Sequence, residues 1–487
     1  MHVELDVAGG LPSFAVVGLP DAGVRESRQR VRGALANSRF EFPQQRITAN
    51  LAPADLPKSG PGFDLAIAAA LMAATGQLRQ LSLDRYALAG ELALDGSIRP
   101  VPGALAMAER ARRWGLQGIA VAREDAVQGA MVEGIEVLPL SCLRDLLRLE
   151  RGELTPVVPP PWPPGGADEG QGLDLRDLRA QPALQRALEI AAAGAHSMLL
   201  AGPPGTGKTM AAQRFPSLLP PLSREESLEV TRIAGACGER LEQPLALRRP
   251  FRAPHHTVSA VALVGGGSPP RPGEVTRAHR GVLFLDELGE FRRDALESLR
   301  QPLEFGTVAI ARARASLSLP CRFVLIAATN PCPCGNGSDS GECECQPGAI
   351  ARYRVKLGGA LADRIDIQVS VARPDADGLR GPPGECSADV RDRVLEARER
   401  QHRRLGPGRC NAEVPASELR ASGRFDESAV GLLAEGHERV GLSGRGWDRV
   451  LRVARTIADL AGSERVGDVH VSEALMLRRR EHEPALA

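Results

Sequence analysis

Lysine is nearly absent from this 487-residue chain: only Lys58, Lys208 and Lys356 occur, and every other lysine-or-arginine position is arginine. An arginine-favouring codon bias accounts for this, and it makes a lysine at a motif position the more telling. Aromatic residues are scarce, at 3%. The longest apolar run, Leu65 to Thr75, falls short of the ~20 residues that a membrane-spanning helix needs. The opening Met1-His2-Val3-Glu4 lacks the basic-then-apolar pattern of a signal peptide. The expectation is a soluble cytoplasmic protein. Excess charge is missing too. Sixty-one basic residues face sixty acidic ones, a net charge of +1. That excludes a global electrostatic footprint for nucleic acid, so any DNA surface must be local.

Nine cysteines are present. Cys142, Cys237, Cys321, Cys386 and Cys410 are scattered, while Cys332, Cys334, Cys343 and Cys345 sit together. In a large cytosolic chain such clustering points to metal rather than disulfides. The length suggests about three domains. Residues 157–172 read VVPPPWPPGGADEGQG, which cannot continue a helix or a central strand and so reads as a linker. The expected organisation is an α/β domain over 1–150, the linker over 151–172, an α/β core over 173–380 and a helical part over 381–487. In the first part, strands are expected at 13–19, 47–51 and 118–122, with helices at 24–38, 64–74 and 104–114. Apolar strands of the buried parallel type follow at 197–201, 282–285 and 322–328. Helices are expected at 388–404, 427–437, 445–461 and 472–479. No internal repeat is apparent.

After the strand at 197–201 comes Gly202-Pro203-Pro204-Gly205-Thr206-Gly207-Lys208-Thr209, the G-x-x-x-x-G-K-T pattern. Its glycines let successive N–H groups turn inward around phosphate oxygens, and the following helix adds its positive end. Lys208 would reach the β- and γ-phosphates of ATP, and the Thr209 hydroxyl would ligate Mg²⁺. Downstream, the strand Val282-Leu283-Phe284-Leu285 ends in Asp286-Glu287. Asp286 suits the Mg²⁺ shell, and Glu287 suits orienting and deprotonating the attacking water. The alternative is two acids in a solvated turn.

Asn330 follows the strand at 322–328 and occupies what looks like the sensor position of AAA+ ATPases; the alternative is an Asn opening a turn before Pro331. Arg364, in Leu361-Ala362-Asp363-Arg364-Ile365-Asp366, resembles the arginine that enters a neighbouring subunit's site. A local pair with Asp363 or Asp366 is its alternative. Arg445 looks like the second sensor arginine of AAA+ lids, with Arg449 and Arg452 as competitors on the same helical face.

Three longer stretches carry a more specific resemblance. They are residues 249–305, RPFRAPHHTVSAVALVGGGSPPRPGEVTRAHRGVLFLDELGEFRRDALESLRQPLEF, then Asn330-Pro-Cys-Pro-Cys-Gly335, then Ala454-Arg-Thr-Ile-Ala-Asp-Leu460. Together they resemble the ComM/YifB family of magnesium-chelatase-like ATPases over nearly the whole chain. The resemblance implies a Lon-like amino-terminal domain, an AAA+ core and a helical lid assembled as a homo-oligomeric ring, a hexamer. It also implies action on branched or duplex DNA in recombination or natural transformation. Family members begin further upstream with an additional strand segment, so a misassigned start codon or a missing edge strand is expected here. The cysteine loop is also shorter than is typical.

Leu56-Pro57-Lys58-Ser59-Gly60-Pro61-Gly62 and Ala89-Gly90-Glu91-Leu92-Ala93-Leu94-Asp95-Gly96 are similar to the Lon protease domain. That chemistry needs a serine activated by a lysine. The nucleophile position aligns with Gly62, and residues 101–117 hold no lysine, so proteolysis is not expected. The four clustered cysteines suit a closed tetrahedral Zn²⁺ site, although the C-x-C spacing is less usual and free thiols or disulfides are the alternatives. Residues 307–317, TVAIARARASL, alternate like a strand, which puts Arg312 and Arg314 on one side. In related ATPases a hairpin here faces the central pore, where paired arginines would meet DNA phosphates; a solvated strand face is the alternative. The stretch from Arg252 to Gly267 resembles an insertion of the same clade. Its His255 and His256 read as packing and hydrogen-bonding residues rather than metal ligands. A competing reading is a remodelling ATPase acting on a protein partner through the amino-terminal domain.

Overall fold

The computed structural model describes all residues except 80–82, 163–171, 268–269, 313–314, 337–342, 358–360, 362–363 and 479–487. The chain forms two compact units. One holds Met1–Pro163 with Ser227–Ala246, the other Pro164–Glu226 with Leu247–Ala487.

In the first unit the strand Arg46–Ala52 lies between His2–Ala8, antiparallel, and Ser13–Val17, parallel. Its alternation buries Ile47, Ala49 and Leu51 on one face. Helix Ala22–Asn37 is capped by Asp21, whose Oδ1 accepts from Val24 N at 2.8 Å, and it packs Val24, Val31, Ala34 and Leu35 inward. Helix Asp64–Ala74 is apolar nearly all round and correspondingly buried. A second, parallel sheet orders Tyr86–Ala89, Gly118–Ala122 and Glu136–Leu140. The segment Ser227–Ala246 joins this unit through Leu228 and Leu245, which pack with Leu105, Ala108 and Val121. Arg232 Nε donates to Glu109 Oε1 at 2.9 Å and Gln128 Nε2 to Pro244 O at 3.1 Å. Leu154, Val157 and Trp162, in and just before the Pro-rich stretch, also pack on this unit.

The second unit is built on five parallel strands: β1 Met198–Ala201, β2 Phe251–Arg252, β3 Val282–Leu285, β4 Val324–Thr329 and β5 Ile367–Ser370, in the order β2-β3-β4-β1-β5. β3 and β4 are buried along their whole length, as apolar runs covered on both faces must be. The lid helices Ser387–Leu405, Glu427–Val440, Gly444–Leu460 and Asp468–Met476 share one hydrophobic core with the sheet and with helix Pro182–Gly194. The last helix starts earlier than its periodicity predicts because His470 Nδ1 accepts from Gly467 N at 3.0 Å and caps it there. The alternation over 307–317 belongs to the hairpin that the resemblance implies: Thr307–Arg312 pairs antiparallel with Ala315–Pro320, with Arg312 opposite Ala315. Arg314 and the Arg312 side chain lie outside the described residues. Among the described residues, no helix is long and apolar enough to cross a membrane.

Candidate functional site

The sheet order places β1, β3 and β4 side by side, β4 in the middle, so the loops at their carboxyl ends meet. Ligands of open α/β sheets bind at such ends. After β1 the chain turns through Gly205 and Gly207, whose φ values of +78° and +88° lie in the region that favours glycine. Gly202 is forced by contact: a Cβ there would lie 2.2 Å from Val371 O. Gln181 Nε2 donates to Thr206 O at 2.8 Å and braces the loop. Helix Lys208–Arg214 follows at once, so its N-terminal N–H groups point into the loop.

Lys208 is buried, and its Nζ donates to Gly202 O at 2.6 Å and Pro203 O at 2.7 Å. Asn330 Oδ1, from the end of β4, lies 3.4 Å from the same ammonium. Thr209 Oγ1 donates to Asp286 Oδ2 at 2.8 Å across 77 residues of sequence. Two oxygens of this kind, a hydroxyl and a carboxylate, suit Mg²⁺, so the residues present fit the ion. Glu287 follows with φ +51° and ψ 50°, a left-handed conformation uncommon for a residue with a side chain. Asp286 Oδ1 accepts from its N–H at 2.9 Å, and His256 Nδ1 stands 3.5 Å from its Oε2. The His256 ring is itself held between His255 at 4.0 Å and the edge of Phe291 at 6.5 Å.

Behind these loops, Tyr353 OH meets Thr329 Oγ1 at 3.1 Å, and Lys356 Nζ donates to Gly289 O. One helix, Pro347–Leu357, thereby ties the ends of β3 and β4 together. The Cys332, Cys334, Cys343 and Cys345 sulfurs all lie within 4.8 Å of one another. Cys332 is 3.2 Å from Cys334 and 3.7 Å from Cys343. Tetrahedral Zn–S bonds of ~2.3 Å place sulfurs ~3.8 Å apart, so the donor set fits. The Asn336 N–H beside Cys334 holds its thiol down at about 6, whereas the Cys343 and Cys345 thiols are pushed up, so without metal the thiolate is favoured at Cys334 and disfavoured at those two. The same turn reaches the phosphate loop, since a Cβ on Gly335 would lie 3.1 Å from Pro204 Cδ.

Asp363 and Asp366 are the local partners expected for Arg364. Asp363 lies outside the described residues, and Asp366 is buried against His196 at 3.1 Å and against Arg449. Arg364 Nη2 instead donates to Glu304 Oε2 at 3.0 Å. Of the three lid arginines, Arg449 is engaged with Asp366, whereas Arg445 is exposed with its Nη2 3.9 Å from Glu304 Oε1. Glu304 and His256 lie within the stretch 249–305 that carries the resemblance, but sequence reading assigned neither of them, nor Tyr353, a role in the site.

A P-loop on this sheet order, with two acids on the strand beyond the central one and a helical lid, defines an AAA+ ATPase, which binds ATP and Mg²⁺. The families described as "Magnesium chelatase, subunit ChlI", "Subunit ChlI of Mg-chelatase" and "Magnesium chelatase, subunit ChlI C-terminal" match residues 174–379, 3–125 and 384–478. Protein YifB of Escherichia coli is 42% identical over 478 residues, 98% of this chain and 93% of that protein. Competence protein ComM of Haemophilus influenzae is 40% identical over 484 residues, 98% and 94% of the two chains. The magnesium-chelatase 67 kDa subunit of Heliobacterium mobile is 30% identical over 227 residues, 41% of this chain and 31% of that protein. The chain belongs to the ComM/YifB family of magnesium-chelatase-like AAA+ ATPases.

Proposed function

We propose that this ATPase is a cytoplasmic, ring-forming motor, a hexamer, that moves branched or duplex DNA in recombination or natural transformation. The observation that carries the ATPase chemistry is the meeting of Thr209, Asp286 and Lys208 with Asn330 above one phosphate loop. Backbone N–H groups of 202–209 cradle the phosphates, and Lys208 neutralises the β- and γ-oxygens. Thr209 and Asp286 would hold Mg²⁺, which would supply positive charge against the phosphates. Asn330 holds the attacking water, and Glu287 takes its proton as it reaches the γ-phosphorus. Arg364 of one copy reaches the γ-phosphate bound by the next, and Arg445 senses nucleotide from the lid. Cys332, Cys334, Cys343 and Cys345 hold a structural Zn²⁺ that fixes the loop beside Asn330.

The DNA role rests on likeness to a competence protein and on the hairpin, where Arg312 and Arg314 would grip phosphates in the pore. The amino-terminal unit is a Lon-like domain without protease chemistry. Gly62 stands at the nucleophile position, and Lys58 is fully buried with its ammonium on Pro53 O. The alternative function is remodelling of a protein partner through that unit, favoured by the likeness to a magnesium-chelatase subunit. ATP hydrolysis measured with and without a four-way DNA junction separates the two. Stimulation by the junction supports the motor, and indifference to DNA supports remodelling.

A further inference from the structure

Glu304 has no role assigned by the motifs, yet it is where three separately recognised features meet. It sits in helix Arg300–Phe305, whose end at Gly306 leads directly into the hairpin strand Thr307–Arg312. Its Oε2 accepts from Arg364 Nη2 at 3.0 Å, and its Oε1 lies 3.9 Å from Arg445 Nη2. The spacing is held by the packing beneath. Leu361 and Ile365, flanking Arg364, pack with Leu299, Leu303 and the hairpin residues Val308 and Ile310 in one core. On the far side of Arg364, Asp366 is anchored to the lid through Arg449. Arg364 is only 12% exposed and Glu304 43%. The largely buried guanidinium is thus fixed by a part-exposed carboxylate whose second oxygen lies beside Arg445.

We propose that Glu304 is a positioning residue: it orients Arg364, with Arg445 beside it, for the γ-phosphate bound by a neighbouring copy of the chain. This rests on the reading that Arg364 acts in trans. A guanidinium carries five N–H donors in a fixed fork, so a carboxylate on one edge and a phosphate on another can share it. The hydrogen bond from Arg364 holds the Glu304 carboxyl below its ordinary range, which favours the ionised form that the pair needs.

The test is complementation in mixed rings. Glu304→Ala alone should keep nucleotide binding and assembly but lose turnover about a hundredfold, the usual consequence of a misplaced catalytic group. Glu304→Gln, whose amide oxygen still accepts from Arg364, should recover most of that loss. Glu304→Ala mixed with Lys208→Ala should regain activity, because the Lys208→Ala copy supplies an intact arginine to an intact phosphate loop. Glu304→Ala mixed with Arg364→Ala should stay inactive, because both copies lack the same contribution. The reverse pattern, rescue by Arg364→Ala and none by Lys208→Ala, places Glu304 in its own copy's site and overturns the inference. Turnover above the wild type in Glu304→Ala also overturns it, since Glu304 would then be withholding Arg364. If Arg364→Ala and Lys208→Ala themselves fail to complement in rings shown to be mixed, the trans reading falls and this inference falls with it. If that pair complements and only the Glu304 pairs behave otherwise, the trans reading stands alone.

Discussion

At the scale of single residues, the chain's few lysines share one geometry. Lys58, Lys208 and Lys356 each donate to a main-chain carbonyl, of Pro53, of Gly202 and Pro203, and of Gly289. The residues around ATP were legible because their motifs are local: eight consecutive residues fix the loop, and two acids end a strand. Their mutual contact needed the fold, as Thr209 and Asp286 meet across 77 positions. Glu304 and His256 were not legible, because an ordinary glutamate and one of two adjacent histidines acquire a role only by what packs against them. The Glu287 assignment makes a sharp prediction. Glu287→Gln keeps the side chain's shape and its contact with Asp286 but removes the base, so it should bind ATP while turnover falls by roughly two to four decades. Steady-state hydrolysis by the purified mutant checks it, and near-normal turnover would contradict the role.

At the scale of elements, periodicity located most helices and strands within a few residues. Helix Pro182–Gly194 was missed although Leu184, Ala187, Leu188 and Ala191 recur at helical spacing, and its second half is buried throughout. The segment 227–246 has no compositional mark of belonging to the first unit. The hairpin over 307–320 was legible through the resemblance rather than the alternation, which reads the same along one strand or two. The cysteine loop leads to a second prediction. Metal analysis of protein purified without chelator should find close to one zinc per chain. Stripping that zinc should weaken ATP turnover as well, because Gly335 packs on Pro204 of the phosphate loop. A folded sample without zinc would sink the site.

A third prediction concerns the join of sheet and lid. Burial opposes ionisation of Asp366, yet His196, Arg449 and Arg452 hold its carboxyl well below the ordinary range. Removing one partner of a buried pair leaves the other charge uncompensated, which costs about 3–5 kcal/mol. Asp366→Asn should therefore lower the unfolding free energy of the second unit by that order. With the folded-state value depressed, the carboxylate's contribution is present above about pH 4 and is lost progressively as the pH falls below it. The mutant's deficit, measured by urea titration, should shrink over that acid range, and a deficit unchanged by acid would contradict the assignment.

At the scale of the whole molecule, a chain with a net charge of +1 has no diffuse attraction for DNA to draw on, so grip must come from local arginines repeated around a ring. That makes the motor reading depend on coupling: hydrolysis at Glu287 must do work on DNA. The most direct measurement is conversion of a synthetic four-way junction to its migrated products by the wild-type protein, with ATP, beside Glu287→Gln under the same conditions. The account predicts that the wild type converts the junction only with hydrolysable ATP, and that Glu287→Gln binds it without converting it. Conversion by Glu287→Gln at the wild-type rate, or no junction binding or conversion by a wild type that hydrolyses ATP, would contradict it.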